Sequence, residues 1–301
     1  MKKLILSVLA IAAMTSCTKS SVEDLDPNAP VEIKLNAGIE VNTISKSVGA
    51  ITPQSAVDDV IFVRADETTI PSNWTIATVQ SIDAKIAATT GAITFTPSQY
   101  YNIDKTKNTY LIGYHPKTGA TLANGVITFT ELNGQQDIMY APVVNGNKST
   151  TEALTPSFSH KLSQLKFKFV KGSGYTGAAT VTAIKVKGTK LPASMAIADG
   201  TITYASSTTD LDAFTGKTYA INEEATAITA NEVIMVQTGA SAIKLDITLS
   251  DATEFTDVAV TLTTAASTAH VITLTFTQKE ISSTATIGQW TEDNSNNTNV
   301  Q

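Results

Sequence analysis

The 301-residue sequence predicts an all-β protein, and three observations carry that prediction. Residues 31–41 (VEIKLNAGIEV) alternate apolar and polar without a break, the period-two signature of a half-buried strand. Short apolar runs recur down the chain between Gly, Pro and Asn, as in a sandwich or barrel. Charged residues make up 16% of the chain, where an ordinary globular domain has about 25%, and Thr, Ser, Ala and Asn take their place. Thr suits a pleated, half-exposed surface.

The chain opens on an export signal. Lys2 and Lys3 precede the apolar stretch Leu4–Ala13. A bilayer of about 30 Å takes roughly 20 residues to span, so this stretch is too short to cross and suits a signal peptide. Met14-Thr15-Ser16 then leads to Cys17, the chain's single cysteine. The arrangement resembles a bacterial lipobox, with Met14 where Leu is usual. It implies cleavage before Cys17 and acylation of its thiol and new amine. The alternative is an ordinary signal peptide (residues 1–17) with an incidental cysteine. Two or three acyl chains anchor a protein stably, one only marginally. Residues 18–30 (TKSSVEDLDPNAP) read as a polar tether.

The first strand puts Val31, Ile33, Leu35, Ala37, Ile39 and Val41 on one face and polar or small residues on the other. Residues 42–56 lose the alternation and read as an exposed loop. Strands are then expected at Val60–Arg64, Trp74–Val79, Ala92–Thr96, Thr109–Tyr114, Gly125–Thr130 and Asp137–Tyr140. Ile76–Ala88 is a candidate for a short helix. Beyond residue 157 a second full set follows: Leu162–Val170, Ala179–Lys187, Met195–Ala198, Thr201–Tyr204, Thr218–Ile221, Glu232–Gln237, Ile243–Leu249, Asp257–Leu262, Val271–Thr277 and Thr284–Trp290. Two domains, 31–157 and 158–301, are therefore expected, in keeping with about 100–200 residues per domain. The final residues (TEDNSNNTNVQ) are polar and expected to fray.

Composition narrows the function. A net charge of −6 and a single arginine, Arg64, argue against a nucleic-acid partner, which requires a basic face. Three His and one Cys build neither a Cys/His zinc site nor a disulfide scaffold, so no metal or cofactor is expected. Gly172–Gly177 matches G-x-G-x-x-G, but a strand follows where a nucleotide site needs a helix, so it reads as a flexible hairpin loop. His115, His160 and His270 lie far apart and no nucleophile motif accompanies them, so catalysis is not expected. His160 reads as a hydrogen-bonded structural residue. Asp251, Glu254 and Asp257 lack calcium-loop spacing and read as a solvated turn, as do Asp58-Asp59 and Glu223-Glu224. Trp74 and Trp290 read as buried aromatics. A sugar platform would need Trp74 exposed and coplanar with Tyr100 or Tyr101.

Several segments together resemble the fimbrillin family of Bacteroidales. They are the lipobox at Cys17, VEIKLNAGI (31–39), DIMYAP (137–142), FSHKLSQLKFKF (158–169) and ITLTFTQKEISSTATIGQW (272–290), in an order and spacing that cover nearly the whole chain. The resemblance implies two transthyretin-like β-sandwich domains in tandem. It also implies export as a lipoprotein to the outer membrane and assembly with other fimbrial subunits into surface fimbriae that meet host or bacterial surface ligands. In the family a protease removes the first strand by cutting after a basic residue in the following loop. Here that residue is Lys46, where Arg is common, with Arg64, inside an expected strand, as the alternative. A neighbour's strand then fills the vacated groove, and the donor would come from roughly residues 281–301. A tip or anchor component of the fibre, or a surface glycan-binding lipoprotein, is the alternative reading.

Physics suits such an exchange. Five apolar residues larger than Ala lie on the inner face of 31–41, so its removal would forfeit on the order of 10 kcal/mol as an upper estimate. That is comparable to a whole domain's stability of about 5–15 kcal/mol. Removal would also bare a sheet edge. The mechanism expects a detachable strand at a margin of its sheet; a segment outside any sheet, or locked centrally with both flanks paired, would overturn it and leave an acylated two-lobed envelope protein.

Overall fold

The computed structural model describes residues 29–40, 56–72, 74–75, 79–150, 152–277 and 280–290, the side chains of Ile39 and Glu40 excepted. These residues are all-β apart from one short 3-10 turn at Glu224–Thr226. The first half holds β1 (Leu35–Asn36), β2 (Gly38–Glu40), β3 (Val57–Glu67), β4 (Gln80–Ile86), β5 (Ala92–Thr96), β6 (Asn108–His115), β7 (Ala120–Ala123), β8 (Val126–Phe129), β9 (Met139–Gly146) and β10 (Ser157–His160). The second holds β11 (Ser163–Lys171), β12 (Thr180–Thr189), β13 (Pro192–Ala196), β14 (Ile202–Tyr204), β15 (Thr209–Ala220), β16 (Ile234–Val236), β17 (Ala242–Leu249), β18 (Glu254–Thr261), β19 (Thr268–Phe276) and β20 (Ile281–Gly288).

The first sheet runs β1-β5-β4-β3-β6-β9-β10-β2. Its two terminal strands are consecutive pieces of one segment, separated only by Ala37. The sheet therefore comes back on itself as a ring, and residues 35–40 are its closing piece. Val60 and Phe62 of β3 point into the ring with Ile82, Ala84, Ile86, Phe95, Leu111 and Phe158. Ile61, Val63 and Ala65 point outward into a second apolar cluster. Burial on both faces is why β3 reads as a continuous apolar run in its middle and not as an alternation.

A small sheet, β14-β13-β8-β7, covers that outer face with Ile127, Phe129, Met195 and Ile197. Leu162, Val233, Met235, Ala269 and Trp290 join the same cluster, so it ties the two halves of the chain together. Two further four-stranded sheets, β16-β11-β19-β20 and β15-β12-β17-β18, share one core. Leu165, Phe167, Phe169, Ile272 and Leu274 come from the first, and Val181, Ile184, Leu245 and Ile247 from the second. β11 and β19 run parallel from Ser163↔Thr268 to Lys171↔Phe276.

Several expectations differ from what is observed. The helix over Ile76–Ala88 is not formed: β4 occupies 80–86, because Ile82, Ala84 and Ile86 are buried while Ser81, Asp83 and Lys85 are exposed, a period of two. Trp74–Val79 is no strand among its described residues. Trp74 takes a left-handed backbone (φ 53) that turns its indole into the outer cluster. The Gly172–Gly177 loop joins β11 to β12 and so crosses between two sheets. The boundary expected at residue 157 falls at the start of β10, which pairs with β9 and β2 and belongs to the ring. β13, from the second half, pairs with β8 of the first.

Candidate functional site

The strand expected over 31–41 is built differently from a simple edge strand. On one flank, the amide of Tyr101 donates to Val31 O (2.9 Å) and that of Ile33 to Gln99 O (2.9 Å). Leu35 and Asn36 pair with Ile93 and Ala92 of β5, and the Ala37 amide donates to Gly91 O (2.7 Å). On the other flank, Leu154 N donates to Lys34 O and Asn36 N to Leu154 O, both at 2.9 Å, and Gly38 N donates to Pro156 O (3.0 Å). β2 then pairs in parallel with β10, Gly38 through Glu40 opposite Ser157 through Ser159.

Both flanks are thus paired, which corrects the expectation of a free margin. The reason is the ring. β5 and β10 do not pair with each other, and the gap between them is bridged by residues 31–40. Backbone groups on both walls need a partner once buried, and one strand satisfies both rows at once. The central position therefore does not come from neighbours that would close up behind it. Without the segment, two unpaired edges would face each other across an open core.

The groove's inward side chains are Ile33, Leu35 and Ala37, exposed by 4%, 2% and 5%, with Val31 partly buried at the start. The Ile39 side chain and all of Val41 lie outside the described residues, as do Cys17 and Lys46. Gly91 has a positive φ of 66°, and a Cβ there would land on the Ala37 carbonyl oxygen. The close approach of the segment at this point requires glycine. At the other end an open cavity of about 450 Å³ is lined by Val31, Glu32, Lys34, Tyr101, Lys148, Thr150 and Glu152. Burial there pushes the Tyr101 phenol up.

Arg64 sits within β3, paired on both sides by β4 and β6, and its side chain is enclosed. His160, at the end of β10, is buried; its Nδ1 lies 2.5 Å from Asp137 Oδ2. Its ring stacks on Trp290 at 3.9 Å and 25°. His115 Nδ1 meets Asp59 O at 2.8 Å. His270 is buried, which pushes its pKa down. Among the described residues no group of three or more His, Cys, Asp or Glu could hold a metal.

Trp74 and Tyr101 are both buried, so they form no exposed aromatic platform with Tyr100. The acidic pairs are tied down: Asp58 to Lys85 (3.3 Å), Glu224 to Lys168 (2.6 Å) and Asp257 to Lys244 (3.4 Å). Asp59 accepts from the Thr118 amide and hydroxyl. Sequence reasoning found the inward residues of the segment. It missed both walls, Gly91 with Gln99–Tyr101 and Leu154–Pro156, since no strand pattern marks either stretch.

A family model described as fimbrillin-like matches residues 56–290. Among curated proteins no match is found. Among solved structures, a Bacteroides uniformis protein named for a proposed cell-adhesion role superposes with a TM-score of 0.58 at 19% identity, covering 86% of this chain and 98% of its own. One from Bacteroides ovatus, similarly named, gives 0.59 at 17%, covering 88% and 99%. A fimbrial protein from Bacteroides vulgatus gives 0.55 at 15%, covering 86% and 99%. At these identities the likeness is one of fold.

Proposed function

This chain belongs to the fimbrillin-like family, and on that premise we propose that it is a structural subunit of a surface fimbria whose first strand is exchanged for a neighbour's. The reading has four parts. The precursor is exported as a lipoprotein acylated at Cys17 and held at the outer membrane. A protease cuts after Lys46. Residues 31–41 leave the ring, and a strand from an adjoining subunit, of the same or a related kind, takes their place. The donor is the C-terminal segment, roughly residues 281–301; its residues 281–288 are the edge strand β20, paired with β19 in the free subunit, and they leave that edge to serve. Lys46 is preferred to Arg64 because a protease needs an exposed, yielding backbone and Arg64 is enclosed within a paired strand. The protein is structural and not an enzyme, and its finer architecture is read as two transthyretin-like sandwiches in tandem.

One observation carries the reading: a single N-terminal segment bridges the two unpaired walls of the ring. Burying Ile33 and Leu35 alone contributes about 3–6 kcal/mol, at about 1.5–3 kcal/mol for each large side chain. A neighbour's strand with the same alternation would restore this burial and both rows of hydrogen bonds. The contact is head-to-tail, so it does not close and instead propagates into a filament.

The test treats the full-length precursor with a Lys-specific protease, alongside Lys46→Gln. Cleavage after Lys46 in the parent alone, release of the N-terminal fragment that ends at Lys46 and SDS-resistant ladders are expected. Release of the segment from a product that stays monomeric at high concentration would sink the exchange.

A further inference from the structure

Residues 97–102 belong to no extended strand, yet this stretch supplies the partners for the first part of the segment. The Gln99 carbonyl accepts from Ile33, the Tyr101 amide donates to Val31, and Tyr100 bridges to Glu32. The stretch is held in that shape from behind by Arg64. Its Nε and Nη2 donate to the two carboxylate oxygens of Asp66 at 3.2 and 2.9 Å. Nη1 donates to Gln99 Oε1 (2.9 Å) and Nη2 also to Tyr100 O (2.8 Å). Asp66 in turn accepts from Thr109 Oγ1 (2.6 Å) and Asn102 Nδ2 (3.5 Å). One guanidinium therefore joins β3, β6 and residues 99–102.

We infer that Arg64 is the positioning residue of the groove's mouth: it keeps Gln99–Tyr101 extended and ready to receive a strand. Among the described residues, no partner of the guanidinium comes from 31–38. The brace thus remains in place when the segment leaves. The side-chain type matters, because a planar fork serves a carboxylate and two further acceptors at once, which a Lys ammonium on a flexible stem does not. The Arg64–Asp66 pair is largely enclosed, where such charge-assisted bonds hold geometry well. The structural part of this inference is independent of strand exchange; its role in assembly rests on that reading.

The experiment has two arms, using the full chain and the variants Arg64→Lys and Gln99→Ala. Gln99 is only partly buried, so the second variant tests the brace without emptying a charged site. In the uncleaved protein, residue-resolved hydrogen exchange is expected to speed up about tenfold at the Ile33 and Tyr101 amides and to stay unchanged at Asn36 and Gly38. Equal acceleration at all four amides, or none, overturns the inference. In the second arm each protein is cleaved after Lys46, freed of the segment and offered a synthetic VEIKLNAGIEV peptide. The variants are expected to bind it about tenfold more weakly than the parent. Equal binding overturns the role in assembly. Failure of the cleaved parent to bind the peptide would sink the exchange reading instead, and the first arm would still decide on Arg64.

Discussion

The N-terminal ring and the C-terminal sandwich both enclose aromatic-rich cores, but they are completed in opposite ways. In the sandwich, β11, β12, β17 and β19 lie in the middle of their sheets, and the outer strands β18 and β20 meet side to side through Ser283 Oγ and the Ala259 carbonyl (2.7 Å). Its core needs nothing from outside residues 163–288. The ring depends on Ile33, Leu35 and Ala37, which come from the far N-terminal side of the described chain. The difference teaches where the molecule can be opened. In the sandwich the strands that carry the shared core lie in the middle of their sheets, whereas the ring is completed by residues 31–40, and its other strands, β5-β4-β3-β6-β9-β10, are paired to one another without them.

Paired leucine substitutions test this contrast with the largest effect. Leu35→Ala and Leu245→Ala each remove a buried side chain and should cost about 2–5 kcal/mol by urea unfolding. Hydrogen exchange should then separate them. Leu35→Ala speeds exchange along β5 and β10 and leaves β12 and β17 alone, and Leu245→Ala does the reverse. Identical patterns would mean that the outer cluster makes the halves one cooperative unit and that the contrast fails.

A smaller effect should appear at alkaline pH. Burial, with Asp59 and Asp83 nearby, pushes Tyr114 up to about 12. Burial, with Asp199, does the same to Tyr140, also to about 12. In the unfolded chain these phenols ionise near pH 10. The neutral form is the one the fold favours, so its contribution is complete below about pH 10 and is lost as pH rises to about 12. Both residues face the outer cluster from the ring. Urea midpoints should therefore fall above pH 10, with tyrosinate absorbance rising as the ring opens. Tyr140→Phe should flatten part of that fall. A midpoint independent of pH up to 12 would remove this distinction.

The smallest effect is expected at the ring's surface. Asp58 and Lys85 form an ion pair at 3.3 Å with both side chains 64% exposed. Asp58→Asn should cost less than about 1 kcal/mol by urea unfolding. A loss as large as that of Leu35→Ala would mean that charge along β3 and β4, and not apolar closure, holds the ring.

Much of this architecture is legible in the sequence, and the exceptions share a cause. Ala92–Thr96 coincides with β5, and the inward set Ile33, Leu35, Ala37 follows from alternation alone. β4 is hidden because Ile82 and Ile86, four positions apart, also fit one face of a helix turn. The walls at 99–101 and 154–156 are invisible, since they bond through backbone atoms, which every residue type carries. Arg64 stood out as the single arginine, but its partners, Asp66 aside, lie more than thirty positions away and are brought to it by the pairing of β3 with β4 and β6 and of β4 with β5. Ring closure is likewise a property of topology, and no local pattern encodes it.

The stack of His160 on Trp290 has a mechanical meaning. His160 ends β10, the strand that walls the groove, and Trp290 follows β20 at the far end of the described chain. A pull on whatever continues past residue 290 is met first by an indole seated between the halves and then by β10, so one stacked pair passes the load from the C-terminal strand to the ring.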